Sequence, residues 1–135
     1  MKTIFIDSNV FLRFFTRDDA GQHELAAKLF RTASEGRLQL VSGPPVLFEI
    51  AWVLRSAYNH PKEKVLEILS AICALPFLEL TDQHLVENAI VLARNANQEF
   101  ADAYLAALAK QTAADAVATF NRQHFRRLGA TIYEF

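Results

Sequence analysis

The chain is short of most features that would mark a special class of protein. Its single cysteine, Cys73, excludes an intramolecular disulfide and with it a disulfide-stapled scaffold. That thiol lies in the apolar run Ile72-Cys73-Ala74-Leu75, where it reads as a small core side chain. Net charge is nearly absent as well. Fourteen basic against 15 acidic side chains leave a formal −1, and with 52% hydrophobic residues this excludes a disordered chain. Long apolar runs are missing. The opening run breaks at Asp7, too early for the core of a secretory signal, and no stretch approaches the roughly 18 apolar residues of a membrane span. The expectation is a soluble, cytoplasmic protein without a membrane partner. No internal repeat, low-complexity segment or linker interrupts the 135 residues, which suit one domain. Eleven phenylalanines supply much of its core.

What is present is an alternation of short β-branched runs with longer helical patterns. Residues 3–6, 38–41, 77–80, 116–120 and 131–135 read as five strands. Between them, apolar residues recur at helical spacing over residues 9–15, 23–33, 46–54, 65–72, 85–96 and 100–112, with a short helix over 124–128. Pro44 and Pro61 each sit where a helix opens, since proline is tolerated in a first turn. The helix over 46–54 is apolar almost all round, which predicts a central, buried position. The whole predicts an α/β fold: a single three-layer α/β/α sandwich with a mostly parallel five-stranded sheet.

Ligands bind such sheets beyond the carboxyl ends of the strands, so polar residues there carry the information. Asp7 ends the first strand, before Ser8 and Asn9, and suits a helix N-cap as well as a functional role. Glu49 sits within the most apolar helix, and its nearest basic neighbour in sequence, Arg55, is not on its face. Burying an unpartnered carboxylate costs several kcal/mol, which favours a metal or catalytic use over a structural one. Asp102 opens an alanine-rich helix, where the dipole alone would favour an acid, and Glu99 shares that reading as a capping or supporting acid. Asn121 follows the fourth strand, and Thr119 would face the same end of the sheet as Asp7 if strands one and four are neighbours. Clustered carboxylates persist only with cations or bound protons. Oxygen donors without His or Cys suit Mg²⁺ or Mn²⁺ rather than zinc. His23, His60, His84 and His124 show no metal-ligand spacing and read as surface or capping residues.

The set Ile4-Phe5-Ile6-Asp7-Ser8-Asn9-Val10, the helical Glu49, Phe100-Ala101-Asp102-Ala103 and Ala118-Thr119-Phe120-Asn121 resembles the PIN-domain nucleases. The likeness is greatest to the VapC-type toxins of toxin–antitoxin pairs, and it spans nearly the whole chain. Each motif is short, so the specificity lies in the set. The resemblance implies a metal-dependent endoribonuclease that cuts single-stranded or looped RNA and leaves a 5′-phosphate and a 3′-hydroxyl. It further implies Mg²⁺ or Mn²⁺ held by Asp7, Glu49 and Asp102, with Ser8, Asn9, Glu99, Thr119 and Asn121 in support. These three carboxylates are expected to converge within one coordination sphere or to bridge through waters. The family often has Asp where this chain has Asn121, so a second metal would lose a charged ligand there. Arg13, Arg17, Arg122, Arg126 and Arg127 follow strands one and four and could neutralise RNA phosphates. A homodimer is expected from the apolar stripes of Phe11, Phe14, Phe15, Leu25, Leu29 and Phe30 and of residues 65–72. A cognate antitoxin protein is expected across the cleft.

Rival readings fare less well. A receiver-type domain wants an acidic pair near its first strand and a late Lys, and a haloacid-type phosphohydrolase wants Asp-x-Asp. This chain has Asp7-Ser8-Asn9 and no Lys after the fourth strand. The stronger alternative is a PIN-like module that binds RNA or protein without cutting.

Overall fold

The computed structural model describes residues 1–135. Strand β1 (Lys2–Phe5) leads through helices α1 (Ser8–Thr16) and α2 (Ala20–Ser34) to β2 (Leu38–Ser42). Helices α3 (Pro44–Ser56) and α4 (Lys62–Cys73) then lead to β3 (Leu78–Leu80), followed by α5 (Gln83–Ala96), α6 (Phe100–Gln111) and α7 (Arg122–Arg127). The three strands are parallel in the order β1-β2-β3, with Ile4 opposite Leu40 and Leu40 opposite Leu78. Parallel pairing requires a crossover between neighbours, and here each crossover is a pair of helices.

Local chemistry sets the helix starts. The Asp7 carboxylate accepts from the Ser8 N–H at 2.7 Å to begin α1, and Asp19 accepts from the Gln22 N–H at 2.9 Å to begin α2. Pro44 opens α3 directly after Gly43. A methyl group on Gly43 would stand 2.7 Å from Thr81 Oγ1, nearer than side chains approach, so the β2–α3 turn needs glycine to pass the end of β3. The strand ends are stitched together. The buried Ser42 hydroxyl donates to the Ile6 carbonyl at 2.9 Å, the Ile6 N–H donates to Val41, and the Thr81 N–H donates to Ser42. One continuous core fills the interior, with Leu40, Leu47, Ile50, Leu54, Leu69, Ile72 and Val86 sealed from solvent. Aromatic contacts extend it: Phe30 meets Phe11, Phe14 and Phe77 at ring separations of 5.9, 4.8 and 5.7 Å.

Three expectations change. The sheet has three strands rather than five, and residues 116–120 and 131–135 form only a single parallel bridge, Val117 to Ile132. The aromatic residues that give these segments their strand-like composition stand in water. Phe120 is 87% exposed and stacks on Phe135 at 4.9 Å, so no half-buried pleated surface extends the ladder. Helix α3 is one-sided rather than buried all round: Pro45, Glu49, Trp52, Arg55 and Ser56 share an exposed face, with Trp52 70% accessible. An exposed tryptophan made the helix read as apolar throughout. The stripe Val65, Leu66, Ile68, Leu69 and Ile72 is entirely core, and Phe11 and Phe30 are buried, so of the apolar surface expected to pair two copies only Leu25 is openly exposed.

Removing the Ser42 hydroxyl leaves the buried Ile6 carbonyl without its donor. Ser42→Ala should therefore destabilise the fold by about 1–3 kcal/mol, seen as a lower urea midpoint at unchanged slope. Ser56→Ala, whose hydroxyl bonds the Trp52 carbonyl at the surface, should stay within about 0.5 kcal/mol of the parent. Equal midpoints for the two variants would contradict this role for Ser42.

Candidate active site

Asp7 lies just past β1, exposed, with Oδ1 engaged by the Ser8 backbone N–H and 3.4 Å from the Ser8 hydroxyl. Ser8 itself is buried, so the turn that carries Asp7 is anchored from below. The bond from Ser42 to Ile6 fixes the start of α3 against the residue preceding Asp7. Glu49 stands on the open face of α3 and makes no hydrogen bond or ion pair. Its exposure removes the burial penalty inferred from the sequence, so its claim to function rests on position. That position is set by Phe48, whose ring packs 5.5 Å from Phe100 and 4.9 Å from Tyr104, the residues flanking Asp102 on α6. Arg55 pairs with Glu99 at 2.8 Å and strengthens the same α3–α6 seam. Glu99 is thus a pairing acid at the N-cap position of α6.

Asp102 is in the first turn of α6, where the helix dipole favours its charge, and its side chain is 25% exposed. Its nearest charged or chargeable neighbour is His124 on α7, with Nδ1 3.5 Å from Oδ2. The His124 Nδ1 is buried and has no hydrogen-bond partner. Nothing in residue spacing singled out this histidine, which comes to Asp102 through the packing of α7 against α6. Thr119 lies in a segment that does not pair with β1. Its hydroxyl accepts from the Asn121 N–H at 3.0 Å and shapes the entry to α7. Asn121 holds the N-cap position of α7, exposed and without a capping bond. Asn9 lines a groove of about 490 Å³ between α1 and α2, together with Val10, Arg13 and Leu25.

The arginines divide. Arg13 is committed to a knot: it bonds Asp18 at 3.0 and 3.1 Å and the Gln22 side chain at 2.7 Å. Tyr58 donates to Asp18 at 2.6 Å and Thr16 at 2.9 Å. The Tyr58 and Thr16 hydroxyls, then the Arg13 guanidinium, hold the Asp18 carboxyl down to about 2. Arg13 is correspondingly raised by Asp18, so its charge is already answered. Arg17, Arg126 and Arg127 are exposed and Arg122 half-buried, and all four lack an acidic partner. Cys73 behaves as its apolar run implied, with burial pushing the thiol up to about 11.

No three His, Cys, Asp or Glu side chains gather at metal-holding distance, so Asp7, Glu49 and Asp102 are not drawn into one coordination sphere. The donors nevertheless fit a hard divalent ion in kind: three oxygen-only acids, none paired with Lys or Arg. A PIN domain family model matches residues 4–130. No curated protein and no solved structure matches the chain.

The knot at Asp18 yields a pH signature. Its folded-state value lies below the ordinary carboxylate value of about 3.9, so its stabilisation is complete above pH ~4 and is lost as pH falls through ~2. Asp18→Asn should therefore flatten the acid limb: between pH 4 and 2 the parent's melting temperature should fall more steeply than the variant's. Parallel slopes would contradict the assignment.

Proposed function

Because the chain belongs to the PIN-domain family, we propose that it is an Mg²⁺- or Mn²⁺-dependent endoribonuclease, acting as the toxin of a toxin–antitoxin pair. PIN domains are generally metal-dependent nucleases and typically bind divalent ions, which supports the class of reaction. The observation that carries the assignment to this chain is the presentation of Asp7 from the N-cap of α1, Glu49 from α3 and Asp102 from α6 with no Lys or Arg partner on any of them.

Asp7, Glu49 and Asp102 would hold the ion through carboxylate oxygens. An ion held there would supply an activated water and offset charge developing on the scissile phosphate. Ser8 steadies Asp7 through its backbone N–H, and Glu99 keeps Arg55 from neutralising the acids nearby. Asn121 offers an uncharged amide at the rim, with Thr119 shaping its turn. Arg17, Arg122, Arg126 and Arg127 take the phosphates of single-stranded or looped RNA, and Asn9 supports the site from the groove it lines on α1 and α2. Arg13 contributes through the shape of α1, because Asp18 already answers its charge. Cutting leaves a 5′-phosphate and a 3′-hydroxyl, without a nucleophilic side chain. Exposed Trp52 and Leu105, on the adjoining helices α3 and α6, supply apolar surface for a homodimer, and an antitoxin covers the cleft.

The separation of the carboxylates and the neutral Asn121 favour a second reading, a PIN-like module that binds RNA or protein without cleavage. Cleavage of a single-stranded RNA with Mn²⁺, alongside calorimetric Mn²⁺ titration, separates the two. Asp7→Asn should lower the rate on the order of 100-fold, a loss of about 2.7 kcal/mol of transition-state stabilisation, and Glu49→Gln should act in the same direction. Asn121→Asp should preserve cleavage and tighten Mn²⁺ binding by adding a charge. An Asp7→Asn protein that binds metal and cuts like the parent would end the carboxylate–metal account and favour the binding module.

A further inference from the structure

We propose that His124 is a positioning residue for Asp102, its Nδ1–H donating to the carboxylate and fixing which oxygen faces the metal. This rests on the reading of Asp102 as a metal ligand. The ring is placed by its neighbours: Phe125 and Leu128 are buried anchors that dock α7 onto α6, and they leave His124 pointing at the first turn of that helix. Its Nδ1 is sealed from solvent and bonded to nothing, while the side chain as a whole remains 46% exposed. The ring therefore turns one nitrogen inward and the rest outward.

A buried polar atom without a partner is uncommon in folded proteins, and the polar atom facing it is Asp102 Oδ2 at 3.5 Å. A movement of about half an ångström brings the pair within the ~2.7–3.2 Å of a hydrogen bond. An ionised carboxylate only accepts, so the proton must come from the imidazole. The Nδ1 proton is present in the neutral Nδ1–H tautomer and in the charged ring alike, so the contact does not depend on His124 changing protonation. With Oδ2 held by this donor, Oδ1 is left free to ligate. Outer hydrogen bonds of this kind orient ligating groups, and their loss typically weakens metal affinity by about 10–100-fold.

Three substitutions distinguish the donor from mere packing. The amide nitrogen of asparagine falls near the position of Nδ1, whereas that of glutamine falls near Nε2, which faces outward. In Mn²⁺ titration by calorimetry, His124→Ala and His124→Gln should weaken binding by about tenfold or more, and His124→Asn should stay within about threefold of the parent. Against single-stranded RNA, kcat should follow the same order with KM little changed. Melting temperatures without metal should be alike across the series. If all three variants bind Mn²⁺ like the parent, or all three lose it together, the positioning role is wrong while the metal site stands. A parent protein that binds no Mn²⁺ overturns both the role and the reading beneath it.

Discussion

The buried hydroxyl of Ser42 holds the carbonyl of Ile6, and the arrangement at the end of the sheet follows from that bond. Ile6 precedes Asp7, and Ser42 precedes the turn into α3, so one contact sets the spacing between the first candidate ligand and the helix that carries the second. The neighbouring Gly43 has no side chain because Thr81 occupies the space. The carboxyl ends of β1, β2 and β3 are thus closed against one another by backbone and a single short side chain. Long flexible groups would not give the same definition.

From there the candidate site is extended by packing rather than by polar contacts. Phe48 against Phe100 and Tyr104 joins α3 to α6, and the Arg55–Glu99 pair seals the rim of the same seam. That exposed pair adds little energy by itself, and it occupies the Arg55 guanidinium. Elsewhere the chain answers its charges locally, as in the knot of Arg13, Asp18, Tyr58 and Thr16. The contrast is what marks Asp7, Glu49 and Asp102. They are left without Lys or Arg partners at a place where the fold brings their helices together.

Much of this was legible in the sequence. Asp7 as the acid just past β1 and the proline-led start of α3 follow from propensity and periodicity, whereas the stripe of α4 that suggested a surface between two copies is core. What failed has physical causes. Trp52 counts as apolar in any pattern, so the open face of α3 read as buried and Glu49 was given a burial penalty it does not bear. Phe120, Tyr133 and Phe135 have strand propensity, but their rings contact one another outside the sheet and only one bridge forms. His124 was invisible because its partner lies on another helix, and a three-dimensional contact leaves no spacing in the chain. Arg13 counted as free charge until its acid, five residues on, was seen to fold back onto it.

The central claim is that carboxylates from α1, α3 and α6 act as one metal site. Paramagnetic broadening by substoichiometric Mn²⁺ in an amide-resolved NMR spectrum tests it directly, at a size of 15.2 kDa that suits the method. Signals of Ser8, Ile50 and Ala103, next to the three acids, should broaden together and first, while those of Val65 to Ile72 in the core stripe of α4 stay sharp. Asp102→Asn should abolish the effect at all three positions at once. Broadening centred on Asp18, or spread evenly over the surface acids, would contradict a shared site.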